Sequence, residues 1–302
     1  YYLEVMDSTD LDDTNNSLLL YNALADAAPQ VVHRDRDIEI ASFRDEYNYL
    51  KVPVSCGGVE QSMIFDTGAN LSTIIESLAE KMGLTIYDIA IDVDTSTGVK
   101  VKTRLAVADS LLVGDLLFEN VVFLVLPDEM FYFQPIDYQI YGVIGFPVMY
   151  QMEEVHMHKD GTMFIPSAGT DRGLKNLALE ELSPVVRLYS GADTLRMTFD
   201  SGAATTHLSK KYYDEHRQQV EQLGQIREAM RGGAGGIVTV QEYELTNFPY
   251  RIGSKADTLP QIKVSLDEYE FNKAYDGNLG QDIITRFDNM VLNFKYMYID
   301  FE

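Results

Sequence analysis

Cysteine is nearly missing from this chain of 302 residues. Cys56 stands alone, which excludes an intramolecular disulfide framework and leaves the fold to its own core. That suits a cytosolic protein, or an exported bacterial one that does without bridges, better than vertebrate-style secretion. Cations are scarce as well. Lys and Arg number 24 against 47 Asp and Glu, a net charge of −23. So acidic a surface repels phosphate backbones and anionic lipid, and neither nucleic acid nor a membrane surface is an expected partner. No apolar run reaches the roughly 18 to 20 residues of a membrane-spanning helix. What remains, 46% apolar and 24% charged, is the composition of a globular protein long enough for two or more units.

Residues 1 to 44 differ from the rest. Asp7, Asp10, Asp12 and Asp13 make an acidic start, and "SLLLYNALADAA" reads as a short helix that stops before Pro29. This stretch is expected to be an acidic, partly helical accessory segment. From about residue 48 the pattern turns to short runs rich in Val, Ile, Phe and Tyr. Turn signals separate them at "CGG" (56 to 58), "GD" (114 and 115), "KDG" (159 to 161) and "SGAD" (190 to 193). The expectation is an all-β protein with few short helices, one over 76 to 83 with Gly83 as its stop and one over 209 to 224.

One turn needs explaining. "MIFDTGANLSTI", residues 63 to 74, sets Asp66 after a strand-like apolar run, and Asp, Thr and Gly are ordinary turn residues. By itself it is a structural turn as readily as a site. Its partner lies 134 residues on, in "MTFDSGAATTHL", residues 197 to 208, where Asp200, Ser201, Gly202 and Ala203 repeat Asp66, Thr67, Gly68 and Ala69. Upstream, Val52 and Val54 are matched by Val186 and Leu188. Downstream, "TSTG" falls opposite "RGGAGG", and "YGVIGFPVM" and "DGNLGQDII" place Gly145 and Gly280 79 and 80 residues after their Asp. Four features in one order, twice, mark two homologous halves, expected over 45 to 170 and 171 to 302.

Two such halves can meet about a pseudo-twofold axis with their carboxylates adjacent. Gly68 and Gly202 allow the backbones to approach, and Thr67 and Ser201 supply hydroxyls that can bond across the axis. Adjacent carboxylates cannot both ionise easily, so one keeps a proton while the other is a base, and the pair titrates as a unit. Together they offer a general base for a water and a general acid for a carbonyl. That chemistry calls for no cofactor and no metal.

In these two D-[ST]-G motifs, each followed by a hydrophobic-hydrophobic-Gly element or a near match, residues 48 to 302 resemble the aspartic peptidases of the pepsin and retropepsin clan. The resemblance implies a bilobal all-β fold with an active-site cleft between two barrel-like lobes, and an extended peptide or protein substrate bound there beneath hairpin flaps. It implies Asp66 and Asp200 as the catalytic pair, Thr67 and Ser201 as cross-linking hydroxyls, and Gly68 and Gly202 as loop glycines. Sharing one proton between two carboxylates is the general behaviour of aspartic proteases. With both motifs in one chain, no obligate dimer is needed to form the pair.

The departures from pepsins are informative. Ala69 and Ala203 stand where pepsins carry a hydroxyl that reaches the carboxylate, as in retropepsins. Losing a hydrogen bond to the charged form implies an activity optimum less acidic than that of pepsins. Tryptophan is absent, and no flap "YG" pair follows Asp66. Asn278 replaces an apolar residue, and its amide needs a partner. Flap candidates are the hairpin tips near Thr97 and Gly98 and near Gly232 and Gly233, against the plainer reading of Gly-rich turns.

Other features read blandly. "HMH" at 156 to 158 offers two imidazoles without a third ligand, which makes solvated strand histidines the better reading. "GGAGG" lacks the Lys and strand-to-helix context of a phosphate loop, and Cys56 is incidental in a turn. The leading function is thus an aspartic endopeptidase, expected to be exported or periplasmic in a bacterium. The rival is a catalytically silent peptide-binding protein on the same fold.

Overall fold

In a computed structural model, residues 17–94, 100–180, 182–233, 236–267 and 273–302 are described. Leu50–Cys56 and Val59–Phe65 pair antiparallel, folded back on each other through Gly57 and Gly58. Both glycines have positive φ, 57° and 77°, which suits a two-residue turn whose twist matches the strands and which only glycine adopts without strain. The equivalent hairpin in the second half joins Ser183–Ser190 to Asp193–Phe199.

Each half closes into a barrel. In the first, strands Leu116–Leu126, Ser72–Ile75, Gly142–Ile144, Val59–Phe65, Leu50–Cys56 and Lys100–Val113 pair in that order, and the last pairs back to the first. In the second, Ser183–Ser190, Asp193–Phe199, Gly277–Leu279, His207–Leu208, Lys255–Ser265 and Gly236–Ile252 pair likewise, closed by Tyr189 opposite Arg251. A long hairpin extends from each barrel, Thr85–Asp94 with Lys100–Val113 and Gln225–Gly233 with Gly236–Ile252. The molecule is therefore an all-β, bilobal one.

A third sheet joins the halves. Its five strands, Ile38–Ile40, Met163–Ile165, Glu154–His158, Asn289–Asn293 and Tyr298–Phe301, come from the early, middle and late parts of the chain. Residues 31 to 44 contribute three short strands. Val31–His33 pairs with Leu116–Leu126, Ile38–Ile40 with Met163–Ile165, and Phe43–Arg44 with Leu50–Cys56. Such short strands carry little pattern of their own, and distant partners supply their ladders. The acidic start at Asp7 to Asp13 lies outside the described residues.

Two of the expected helices form with their stop or cap in place, while the first ends at Ala23, short of Pro29. Glu76–Lys81 is followed by Gly83 at φ +72°, and Lys210–Leu223 starts at Ser209, whose hydroxyl accepts from the Tyr212 N–H. Residues 17–23 are helical, and Leu20, Ala23 and Leu24 pack on a small cluster of Ile91, Leu105 and Leu124, apart from the main core. This patch is one face of the first barrel. Shortening Leu20 and Leu24 to Ala together should lower stability by about 1–2 kcal/mol, read as a lower urea midpoint with unchanged slope.

Candidate active site

Each D-[ST]-G turn begins where a buried strand ends. Phe65 and Phe199 are 0% and 1% exposed, and the next residue's N–H is tied to the parallel neighbour strand: Asp66 donates to the Ile144 carbonyl and Asp200 to the Leu279 carbonyl, both at 3.0 Å. The glycines after those strands are packing requirements. A Cβ on Gly145 would sit 2.5 Å from the Leu71 carbonyl carbon, and one on Gly280 2.7 Å from that of Thr205.

The two turns are fastened by a reciprocal exchange. The Thr67 hydroxyl donates to the Phe199 carbonyl (2.8 Å) and accepts from the Ser201 N–H (2.9 Å). The Ser201 hydroxyl donates to the Phe65 carbonyl (2.8 Å) and accepts from the Thr67 N–H (3.0 Å). Both side chains are fully buried, so each bond is made in a low dielectric where a missing partner is costly. The exchange draws the glycines over the opposite carboxyls. A Cβ on Gly68 would lie 2.7 Å from the Asp200 Cγ, and one on Gly202 2.4 Å from the Asp66 Cγ.

Asp66 and Asp200 are thereby adjacent. Gly68 N–H donates to Asp66 Oδ1 at 2.8 Å, and Gly202 and Ala203 N–H donate to Asp200 Oδ1 at 2.9 and 3.0 Å. Burial, then the charge of Asp200 and hydrogen bonding with it, raise the Asp66 carboxyl well above the usual carboxylate range, against the opposing Gly68 and Gly202 N–H groups. Tyr49 stands close enough for both carboxyls to act on it; burial first, then Asp45, Asp66 and Asp200, push its hydroxyl up. The arrangement can hold one proton between two oxygens, with a base beside an acid.

Ala69 and Ala203 put their carbonyls to use, accepting from the Phe146 and Gln281 N–H groups at 2.9 Å each. Thr97 and Gly98 lie outside the described residues. Gly232 and Gly233 sit near the tip of the long second hairpin, with Gly233 opposite Gly236. His156, read as solvated, is instead half-buried and paired with the buried Glu154 (2.7 Å). No group of three potential metal ligands occurs among the described residues. Cys56 ends its strand buried, and burial raises its thiol.

Two contacts were not legible as such. Asn278 donates through Nδ2 to Asp200 Oδ2 at 3.0 Å. Gln281, 1% exposed, donates to the Ser201 carbonyl. The first had a signal, a polar residue in an apolar slot; for Gln281 the only hint was its place one residue past Gly280.

Two closed barrels meet at paired D-[ST]-G turns. Residues 52–148, which include the Asp66 turn, match the family described as aspartyl protease. No curated protein matched the chain. No helix among the described residues is long and apolar enough to cross a membrane.

Replacing Thr67 by Val would strand the Ser201 N–H and the Phe199 carbonyl, costing about 2–4 kcal/mol, measurable by chemical unfolding. The raised Asp66 carboxyl has a stability consequence of definite sign. A folded state that binds this proton more tightly than the unfolded chain is favoured in acid, and the advantage is lost as pH rises through the folded value. Asp66→Asn should therefore be more stable than the parent at pH 7, with the difference shrinking towards about pH 4, where an unfolded Asp also protonates. A gain that is the same at both pH values would refute it.

Proposed function

We propose that the protein is an aspartic endopeptidase that hydrolyses peptide bonds of extended peptide or protein substrates with a water activated between Asp66 and Asp200. The observation that carries this reading is the pair of adjacent carboxyls, one with a strongly raised proton affinity, on turns locked by the Thr67 and Ser201 exchange. The ionised carboxyl takes a proton from the water as its oxygen adds to the scissile carbonyl carbon, and the protonated one donates to the carbonyl oxygen. The tetrahedral diol then collapses as a proton passes to the amide nitrogen, the C–N bond breaks, and acid and amine leave without a covalent intermediate.

The substrate is proposed to lie in a cleft between the barrels, with the hairpin tip near Gly232 and Gly233 as a flap candidate. Because both carboxyls come from one chain, the pair forms without a second copy. Supporting roles fall to Thr67, Gly68, Ala69, Ser201, Gly202 and Ala203.

Turnover of a mixed peptide library should fall by about a thousandfold or more in Asp66→Asn and in Asp200→Asn, while both variants stay folded. Cleavage that persists in both would remove the pair from the mechanism. A statine-type transition-state mimic should bind the parent tightly. The pH optimum should be less acidic than that of pepsins, since burial and Asp200 keep Asp66 protonated well above the usual carboxylate range; a peak at the strongly acidic extreme would contradict this.

A further inference from the structure

The two barrels are not equivalent beside their carboxyls. In the first, the parallel pair next to Asp66 is Ile64 opposite Val143. In the second, the same positions hold Thr198 opposite Asn278. Two polar residues replace two apolar ones at once, and they bond to each other: the Thr198 hydroxyl meets Asn278 Oδ1 at 2.6 Å. That contact turns the amide so that Nδ2 faces Asp200 Oδ2 at 3.0 Å. Backbone donors reach only Oδ1 of each carboxyl, Gly68 N–H on Asp66 and Gly202 and Ala203 N–H on Asp200, whereas the amide of Asn278 reaches Asp200 Oδ2. The side-chain amide has no counterpart in the first barrel, where Val143 has nothing to donate.

We infer that Asn278, oriented by Thr198, is a positioning residue that breaks the symmetry of the pair. It holds Asp200 as the anion that accepts the water's proton and leaves the shared proton on Asp66. A donor bonded to one oxygen favours the charged form of that carboxyl, and in a pair sharing one proton this decides which member carries it. The inference rests on the reading of Asp66 and Asp200 as the working pair. Around Asn278 the neighbouring strands present His207 directly opposite, then Lys263 opposite His207 and Glu244 opposite Lys263; Tyr49 is the other titratable group acted on by both carboxyls.

The test is a titration that does not need turnover. The full chain, labelled with carbon-13 at the aspartate carboxyls, is followed by NMR from acid to neutral pH in the parent, Asn278→Val and Asn278→Asp, beside the pH dependence of kcat/KM on a mixed peptide library. Asn278→Val installs the first barrel's own residue. It should raise the lower of the pair's two titrations by about one pH unit or more, a tenfold change in proton affinity, and move the acid limb of kcat/KM by the same amount. Asn278→Asp, which keeps the shape, should raise it further, and it decides the matter if the Val variant does not fold. An unmoved lower titration would overturn the assignment, as would an equal shift in His207→Asn, which would trace the effect to the neighbouring row. Should the titrations shift as expected while no variant and no parent cleaves any peptide, the endopeptidase reading fails and the role of Asn278 stands. Cleavage abolished by Asp66→Asn, with an unmoved titration in the Asn278 variants, gives the reverse.

Discussion

Everything at the centre of this molecule hangs on four hydrogen bonds between two turns. Thr67 and Ser201 each give a hydroxyl to the other half's backbone carbonyl and take the other's N–H, and both side chains are fully buried. Because every donor and acceptor in the exchange is buried, it is satisfied completely or at considerable cost. It fixes the distance between halves, and that distance is why residues 68 and 202 have no room for a Cβ. It also sets the carboxyls of Asp66 and Asp200 against each other.

Holding them there works against stability. Burial and a neighbouring carboxyl both disfavour a second negative charge, which is why Asp66 holds its proton so tightly. The rest of the structure offsets that cost through rigid support: parallel strands behind each turn, the close-packed Gly145 and Gly280, and a five-stranded sheet shared by the halves. The shared sheet makes relative motion of the barrels costly, since it would tear the ladder between Glu154–His158 and Asn289–Asn293.

The halves repeat one plan but are finished differently. On one face of the first barrel, Leu105 and Leu124 are covered by residues of the N-terminal helix. On the matching row of the second barrel stand Thr198, Asn278, His207, Lys263 and Glu244. An apolar face needs a cover, while a polar one can face water and reach a carboxyl. The same difference that gives the first barrel its helix gives the second its amide donor.

Much was legible from residues alone, because it depends on local chemistry. Glycines at 57, 58 and 83 announce turns that need positive φ, Ser209 caps a helix, and the repeated D-[ST]-G-A turns with their trailing Gly145 and Gly280 reveal two halves and the residues they bring together. The pairing of Val31–His33 and Ile38–Ile40 was not legible, since strands of three residues take their identity from partners more than 80 positions away, such as Glu119 for Val31 and Ile165 for Ile38. Nor could the chain alone show that Asn278 reaches Asp200, because an amide in an apolar slot is a defect until the fold supplies an acceptor. The sequence by itself determined that there are two acids in two equivalent turns. Only the tertiary structure decided that they are unequal, because the direction of one side-chain hydrogen bond is a property of three strands packed together, and no pattern along the chain encodes it.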